Sequence, residues 1–167
     1  MTALYVLRHA KSSWDDPSLP DHERPLAPRG RRAATLISSY LRESAIEPAQ
    51  VLCSPARRTI ETYEGVAPSG ELLVEPELYA APASDLLDRL RAVPAGTASV
   101  MLIGHNPAVQ AIVLKLAKPD SGDGNLAKLA RKFPTGALAT LEFICRWDEL
   151  SAGRARLTDF VQPRSLA

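Results

Sequence analysis

Two of the three histidines in this chain stand at the ends of apolar runs. His9 closes the segment 4–9, and His105 closes the segment 100–105. Both runs are typical of buried strands, and in an open α/β sheet the chemistry lies beyond the carboxyl ends of the strands. We therefore predict that the two imidazoles meet in one crevice with Arg8 beside them. This combination suits a phosphate-handling site in which a histidine acts as the nucleophile.

Transfer of a phosphoryl group requires cationic donors that hold its oxygens while charge redistributes. Arginine is suited to this role because its planar guanidinium binds phosphate through two hydrogen bonds and stays protonated. Arg57 and Arg58 fall in the first turn of a predicted helix that follows a strand. Ser54 and Asn106, each followed by proline, are predicted N-caps, and the helices they open direct backbone N–H groups towards an anion.

The periodicity of the apolar residues predicts strands that alternate with helices. The predicted strands are 3–8, 51–53, 72–74, 100–104, 137–146 and 154–161. The predicted helices are 31–46, the segments that follow Ser54 and Asn106, a segment from Ser84 to Pro94, and 126–133. This order predicts a three-layer α/β/α sandwich with a mostly parallel central sheet, helices on both faces and an antiparallel C-terminal edge. Because the sequence contains no stretch typical of a domain linker, residues 1–167 are expected to form a single domain.

The composition excludes several classes of protein. The net charge of +1 argues against nucleic acid or an anionic membrane as the main partner. No signal peptide or membrane-spanning stretch is expected, and Cys53 and Cys145 are predicted to be reduced core residues, so a cytoplasmic location is expected. Three histidines and no clustered carboxylates argue against a metal centre, and no cofactor is predicted.

Three motifs resemble those of the histidine phosphatase superfamily, and they occur in the same order. Segment 7–14, Leu-Arg-His-Ala-Lys-Ser-Ser-Trp, resembles the Arg-His-Gly signature. Segment 54–62 is similar to the motif Ser-Pro-x-x-Arg-x-x-x-Thr, and segment 104–107, Gly-His-Asn-Pro, resembles the motif of the second histidine. The resemblance runs from residue 5 to about 143.

Within the superfamily, the chain is most similar to the SixA-type phosphohistidine phosphatases. Three segments carry this resemblance: Arg-His-Ala-Lys-Ser at 8–12, Arg-Pro-Leu at 24–26 and Phe-Pro-Thr-Gly-Ala at 133–137. The resemblance implies a metal-independent phosphatase that works through a phosphohistidine intermediate.

The resemblance also implies a role for each site residue. His9 is expected to be the nucleophile that becomes phosphorylated, and Arg8, Arg58 and His105 are expected to complete the catalytic phosphate pocket. We expect neutral His9 to attack while the two arginines and a protonated His105 stabilise the transferring group. Asn106, next to His105, is predicted to contribute to phosphate binding.

The sequence departs from the superfamily pattern at two points. Ala10 replaces the usual glycine, which narrows the backbone conformations open beside the nucleophile. The general acid of other branches has no clear counterpart, and Glu77 and Asp85 are the two candidates. An alkoxide leaving group needs a proton, whereas imidazole leaves readily from phosphohistidine, so a missing acid favours phosphohistidine as the substrate.

Other charged residues have less definite roles. We place Arg57 at the rim, since the motif register favours Arg58, and Lys11 and Asp15 could equally line the mouth of the site or lie in an exposed loop. His22 is expected in an exposed loop. Four further cations are Lys118, Lys128, Arg131 and Lys132. We interpret them as part of a solvated face, and the alternative is that they guide an anionic partner.

We predict that the chain dephosphorylates phosphohistidine on proteins. Only residues 63 to 104 separate the second and third motifs, so the cleft should be open and should suit a protein substrate or a small phosphorylated molecule. One alternative is a small-molecule phosphomonoesterase or mutase of the same fold. Another is an inactive phosphate-binding module, against which the intact nucleophile argues.

Overall fold

A mixed six-stranded sheet forms the centre of the computed structural model, which describes residues 1–167. The strands are β1 (Thr2–Arg8), β2 (Gln50–Cys53), β3 (Glu71–Val74), β4 (Ser99–Gly104), β5 (Leu138–Phe143) and β6 (Arg156–Val161). Their order across the sheet is β3-β2-β4-β1-β5-β6. The first four strands are parallel, and β5 is antiparallel to both of its neighbours.

Five helices cover the two faces of the sheet. They are α1 (Pro28–Glu43), α2 (Arg57–Val66), α3 (Ala83–Arg91), α4 (Ala108–Leu116) and α5 (Asn125–Arg131). Because side chains alternate along a strand, Leu4 and Val6 of β1 pack with the apolar residues of α3, α4 and α5, while Leu7 packs with those of α1 and α2. The predicted three-layer sandwich is confirmed.

The strand register brings the two histidines together. β1 and β4 are paired in parallel, with Arg8 opposite Gly104, so that His9 and His105 leave the sheet side by side. The backbone N–H of His9 continues the pairing and donates to the carbonyl of Gly104 at 3.0 Å. Ser54 follows β2 on the other side of β4, and its N–H bonds to Ile103.

The last two strands form the predicted antiparallel edge of the sheet. β5 lies between β1 and β6, and β6 is the edge strand on this side, with β3 at the opposite edge. The segment between them is longer than a simple turn and contains a short 3₁₀ helix at Trp147–Glu149. Trp147 anchors this segment, because its ring is buried and its Nε1 donates to the carbonyl of Thr97 at 2.8 Å.

The helix boundaries differ most from prediction at α1, which begins at Pro28 rather than at residue 31 and ends at Glu43 rather than at 46. Proline is tolerated in the first turn because the N–H groups there have no partner within the helix. Gly30 lies against the chain that follows β1, where a Cβ atom would come within 2.1 Å of the Lys11 carbonyl oxygen. No helix combines the length and apolar character that a membrane-spanning segment needs.

Candidate active site

His9 and His105 face each other beyond the carboxyl ends of β1 and β4. Their ring centroids are 5.4 Å apart and their planes are inclined by 54°. Arg8 and Arg58 lie close enough to act on both rings electrostatically. The structure therefore brings together the four side chains that the sequence analysis assigned to catalysis.

His9 is held as a neutral imidazole with a defined tautomer. Burial, reinforced by the positive charges of its neighbours, lowers the pKa of His9 to about 3, so the ring is uncharged at pH 7. Its Nδ1 lies 2.7 Å from the carbonyl oxygen of Ala10. Since a carbonyl can only accept, Nδ1 carries the proton and Nε2 carries the free lone pair. Nε2 is thus the nucleophilic atom of this ring.

The backbone after His9 is fixed by the threonine of the second motif. The N–H of Ala10 donates to Thr62 Oγ1 at 2.9 Å, and this hydroxyl donates to the carbonyl of Arg58 at 2.6 Å. Ala10 is fully buried and lies outside the left-handed region of backbone conformation. Alanine therefore fits this position without backbone strain, although a glycine is usual there.

Arg58 is buried and oriented by Asp21, a residue that the sequence analysis did not assign. Nη1 donates to the backbone carbonyl of Asp21 at 2.8 Å, and Nη2 donates to its Oδ2 at 2.9 Å. Tyr79 donates to the same carboxylate oxygen. The hydrogen bond from Tyr79, followed by those from Arg58, lowers the pKa of Asp21 to about 2, so this carboxylate is ionised at pH 7.

Two buried N–H groups at the site have no acceptor within the protein. Arg8 donates through Nη1 to the Phe133 carbonyl at 2.8 Å, which fixes its guanidinium, but its Nε has no partner. The Nε of Arg58 is also buried and unpartnered. Buried donors without acceptors are costly, and the oxygen atoms of an anion are the kind of acceptor that these two N–H groups lack.

His105 is neutral at pH 7, which corrects the expectation of a protonated ring. Burial, together with the charge of Arg58, lowers the pKa of His105 to about 4. Its Nε2 lies 2.7 Å from Ser54 Oγ, and its Nδ1 lies 3.4 Å from Arg58 Nη2. Because an arginine can only donate, Nδ1 is the acceptor and Nε2 carries the proton. Ser54 thus orients His105 and is not the N-cap of α2, which is Ala56.

Comparison with known proteins identifies the relatives of this chain. The sequence profile of the histidine phosphatase superfamily (branch 1) matches residues 4–81. An uncharacterised Mycobacterium tuberculosis protein is 33% identical over 159 residues, which are 95% of this chain and 100% of that relative. The chain belongs to the histidine phosphatase superfamily.

Two solved structures place the chain near the SixA-type members of this superfamily. A structure assigned to the phosphohistidine phosphatase SixA of Nakamurella multipartitia is 32% identical with a TM-score of 0.86, and the match covers 97% of this chain and 96% of that one. The protein histidine phosphatase SixA complexed with tungstate is 25% identical with a TM-score of 0.80, over 99% and 100% of the two chains. This SixA-type histidine phosphatase is accordingly a hydrolase of the phosphatase class.

Asn106 has partners within the protein at both ends of its side-chain amide. Its Nδ2 donates to the Phe133 carbonyl at 3.4 Å, the same oxygen that holds Arg8, and its Oδ1 accepts from the N–H of Gln110 at 3.3 Å. α4 begins at Ala108, so Asn106 is not the residue immediately before the helix. These contacts position Asn106, and since its amide nitrogen has a second N–H to donate, its role in phosphate binding stays a prediction.

The remaining candidates lie at or beyond the rim of the site. Arg57 points outwards and pairs with Glu61 at 3.0 Å, and Asp15 is exposed. Glu77 and Asp85 are also exposed, and neither forms a hydrogen bond or ion pair with the site.

On the side of the site near Glu77, the group that contacts His105 is Tyr79. Its ring meets His105 edge-on, with centroids 5.6 Å apart.

No three His, Cys, Asp or Glu side chains cluster as a metal site would require.

Proposed function

We propose that this histidine phosphatase hydrolyses phosphohistidine on proteins through a phosphorylated His9, without a metal ion. The observation that carries the proposal is the state of His9: it is neutral, its Nδ1–H is bonded to Ala10, and it lies near two arginines whose Nε–H groups are buried and unpartnered. A nucleophile and a binding pocket for a phosphoryl group are thus combined at one sheet end.

In the first step Nε2 of His9 attacks the phosphorus atom. A new P–N bond forms as the P–N bond of the substrate breaks, and that electron pair returns to the substrate nitrogen. The substrate imidazole leaves as a neutral ring when its other nitrogen carries a proton. In the enzyme, Nδ1–H of the phosphorylated His9 keeps its bond to the Ala10 carbonyl, which stabilises the positive charge on the ring.

In the second step water attacks the phosphorus atom of phosphorylated His9. The P–N bond to His9 breaks, its electron pair returns to Nε2, and the proton of the water leaves with phosphate or solvent. Arg8 and Arg58 are the donors that hold the phosphoryl oxygens in both steps, since each has a buried Nε–H to offer. The negative charge of the bound group would also favour proton uptake by His105.

The choice of a phosphohistidine substrate rests on Asp21, the carboxylate that lies against Arg58. Asp21 is ionised at pH 7 and accepts hydrogen bonds from Arg58 and Tyr79, so it has no proton to donate. Departure of an alkoxide requires such a proton, whereas departure of a neutral imidazole does not. Structural similarity to SixA supports the same substrate class.

We further propose that residues 1–167 act as one catalytic domain in the cytoplasm. Cys53 and Cys145 are both buried and unpaired, which suits a reducing compartment.

A substrate panel tests the proposal. We expect turnover to be fastest on a phosphohistidine peptide, slower on an aryl phosphate and slowest on an alkyl phosphate such as a sugar phosphate. Chelator should leave the rates unchanged. The variant Glu77→Gln should retain nearly all activity on phosphohistidine, because no proton is needed from that position.

Two outcomes would contradict this assignment. Best turnover on an alkyl phosphate, with a large loss in Glu77→Gln, would indicate an acid-assisted phosphomonoesterase. Binding of phosphohistidine without turnover of any substrate would indicate a phosphate-binding module.

A further inference from the structure

A wide basic groove lies beside the active site, between α1, α5 and the C-terminal segment. Its volume is about 1130 Å³, and its lining contains seven lysines and arginines but no Asp or Glu side chain. These cations are Lys11, Arg29, Arg32, Lys128, Arg131, Lys132 and Arg164. We refer to this surface as the basic groove.

The cations of the basic groove are free of partners. All seven are exposed, and none takes part in an ion pair or a side-chain hydrogen bond, whereas ion pairs elsewhere engage residues such as Arg57, Arg89 and Arg146. The chain has 20 lysines and arginines and 19 carboxylates. With seven of these cations in one groove, the other thirteen are outnumbered by the carboxylates, and the positive potential is concentrated on this face.

Helical spacing explains how the cations reach one surface. Arg29, Arg32, Ala33 and Leu36 follow the i, i+3, i+4, i+7 pattern and form one stripe along α1. Lys128 and Arg131 of α5 are three positions apart and form a second stripe, which Lys132 continues directly after the helix. Half-buried Ala33 and Leu36 provide an apolar strip in the lining, so the groove offers apolar contacts as well as charge.

The groove begins where the active site ends. Lys11 is two residues beyond His9, and Pro134 follows Phe133, whose carbonyl holds Arg8. β6 runs parallel to β1 and reaches the same end of the sheet, which is why the C-terminal segment lines the groove there. A substrate whose phosphoryl group enters the site would therefore place its neighbouring surface over the groove.

We propose that the basic groove is a docking surface for an acidic segment of the phosphorylated protein substrate, an inference that rests on the proposed function. The groove is slightly larger than the usual 300–1,000 Å³ of a small-ligand pocket, so it has room for a segment of a protein. The apolar strip along α1 suits a partner with apolar as well as acidic side chains. Charge complementarity of this kind accelerates encounter and selects partners.

Two fluorescein-labelled phosphohistidine peptides test the proposal, one flanked by Asp and Glu and the other by Asn and Gln. We expect wild-type kcat/KM to be at least tenfold higher for the acidic peptide, and this preference should shrink at high salt. The groove variant Arg32→Glu/Lys128→Glu should remove the preference and leave turnover of free phosphohistidine unchanged.

A matched control carries the same change of charge on another part of the surface. Lys115 and Arg154 are exposed, form no ion pair and lie near each other, since the N–H of Gly153 bonds to the carbonyl of Lys115. The variant Lys115→Glu/Arg154→Glu should retain the wild-type preference. If both double variants lose it equally, only overall charge matters and the proposal is wrong.

Binding of the unphosphorylated acidic peptide, measured by fluorescence anisotropy, separates this proposal from the function on which it rests. Binding that is lost in the groove variant supports the docking surface even if phosphohistidine is not hydrolysed. Equal peptide affinity in wild type and groove variant would overturn it. Preferential binding of a single-stranded oligonucleotide over the acidic peptide would also overturn it, because the groove would then serve a different macromolecule.

Discussion

The active site and the basic groove lie at the same end of the sheet, yet they hold positive charge in opposite ways. In the active site, Arg8 and Arg58 are directed by carbonyl and carboxylate acceptors of the protein, and both histidines are neutral because they are buried. In the groove, the cations are exposed and have no partners. Partnered charges in a desolvated site keep one geometry, as catalysis requires, whereas free exposed charges adapt to the surface of a partner.

The comparison also predicts different sensitivities. A single change in the active site removes a fixed, partly desolvated contact whose loss is not compensated by water. A single change in the groove removes one of several solvent-screened charges. Effects of mutation should therefore be large and specific in the first region, and small and cumulative in the second.

The largest contrast is expected between two adjacent arginines. Arg58→Ala should lower kcat/KM by roughly a hundredfold or more, since it removes a buried, charge-assisted contact to the phosphoryl group. Arg57→Ala should change it only a few-fold, because Arg57 is exposed and pairs with Glu61. Steady-state kinetics of both purified variants provides the test. Equal losses, or the reverse order, would show that the wrong arginine has been assigned to the phosphate.

A smaller effect is expected on the pH dependence of stability. The pKa of His9 is about 3 in the folded protein against 6.5 in an unfolded chain, so the unfolded state binds more protons between these values. The free energy of unfolding therefore decreases as the pH falls below about 6.5, because the folded protein keeps His9 neutral. The loss reaches on the order of 2 kcal/mol at pH 5. Urea unfolding at pH 7 and pH 5 should show that the free energy of unfolding falls more for wild type than for His9→Gln. Parallel declines would mean that His9 is not desolvated.

The smallest effect is expected from a single charge in the groove. Lys128→Gln should lower kcat/KM for the acidic phosphohistidine peptide by only about twofold, because an exposed charge is screened by solvent and salt. Adding Arg32→Gln and Arg131→Gln in turn should multiply the loss by similar factors. A tenfold loss from Lys128→Gln alone would indicate one specific contact and would break the distinction between the two regions.

The sequence predicted much of this architecture because its signals are periodic or local. Continuous apolar runs located β1 and β4, and a histidine directly after each strand located the meeting point of the rings. The register of the second motif distinguished Arg58 from Arg57 because consecutive side chains of an α-helix point about 100° apart, so that one of the two faces inward and the other outward.

Features that depend on contacts between distant segments could not be predicted. Asp21 reaches Arg58 across 37 positions of sequence from a short 3₁₀ helix at Asp21–Glu23, and no local signal marks it. The neutral state of His105 depends on burial by the assembled fold. Arg29 and Arg32 of α1 line the same groove as the cations of α5. This becomes visible only when the positions of α1, α5 and the C-terminal segment in the fold are known.

The central claim is that His9 attacks through Nε2, and trapping the phosphorylated enzyme tests it most directly. Wild-type protein would be mixed with a stoichiometric phosphohistidine peptide, quenched in alkali after milliseconds and mapped by mass spectrometry, with NMR to distinguish the two ring isomers. We predict a phosphoryl group on His9 at Nε2, because Nδ1 is bonded to the Ala10 carbonyl, and no phosphoenzyme and no turnover in His9→Ala. Phosphate on His105, phosphate on Nδ1 of His9, or turnover near the wild-type rate in His9→Ala would contradict the account.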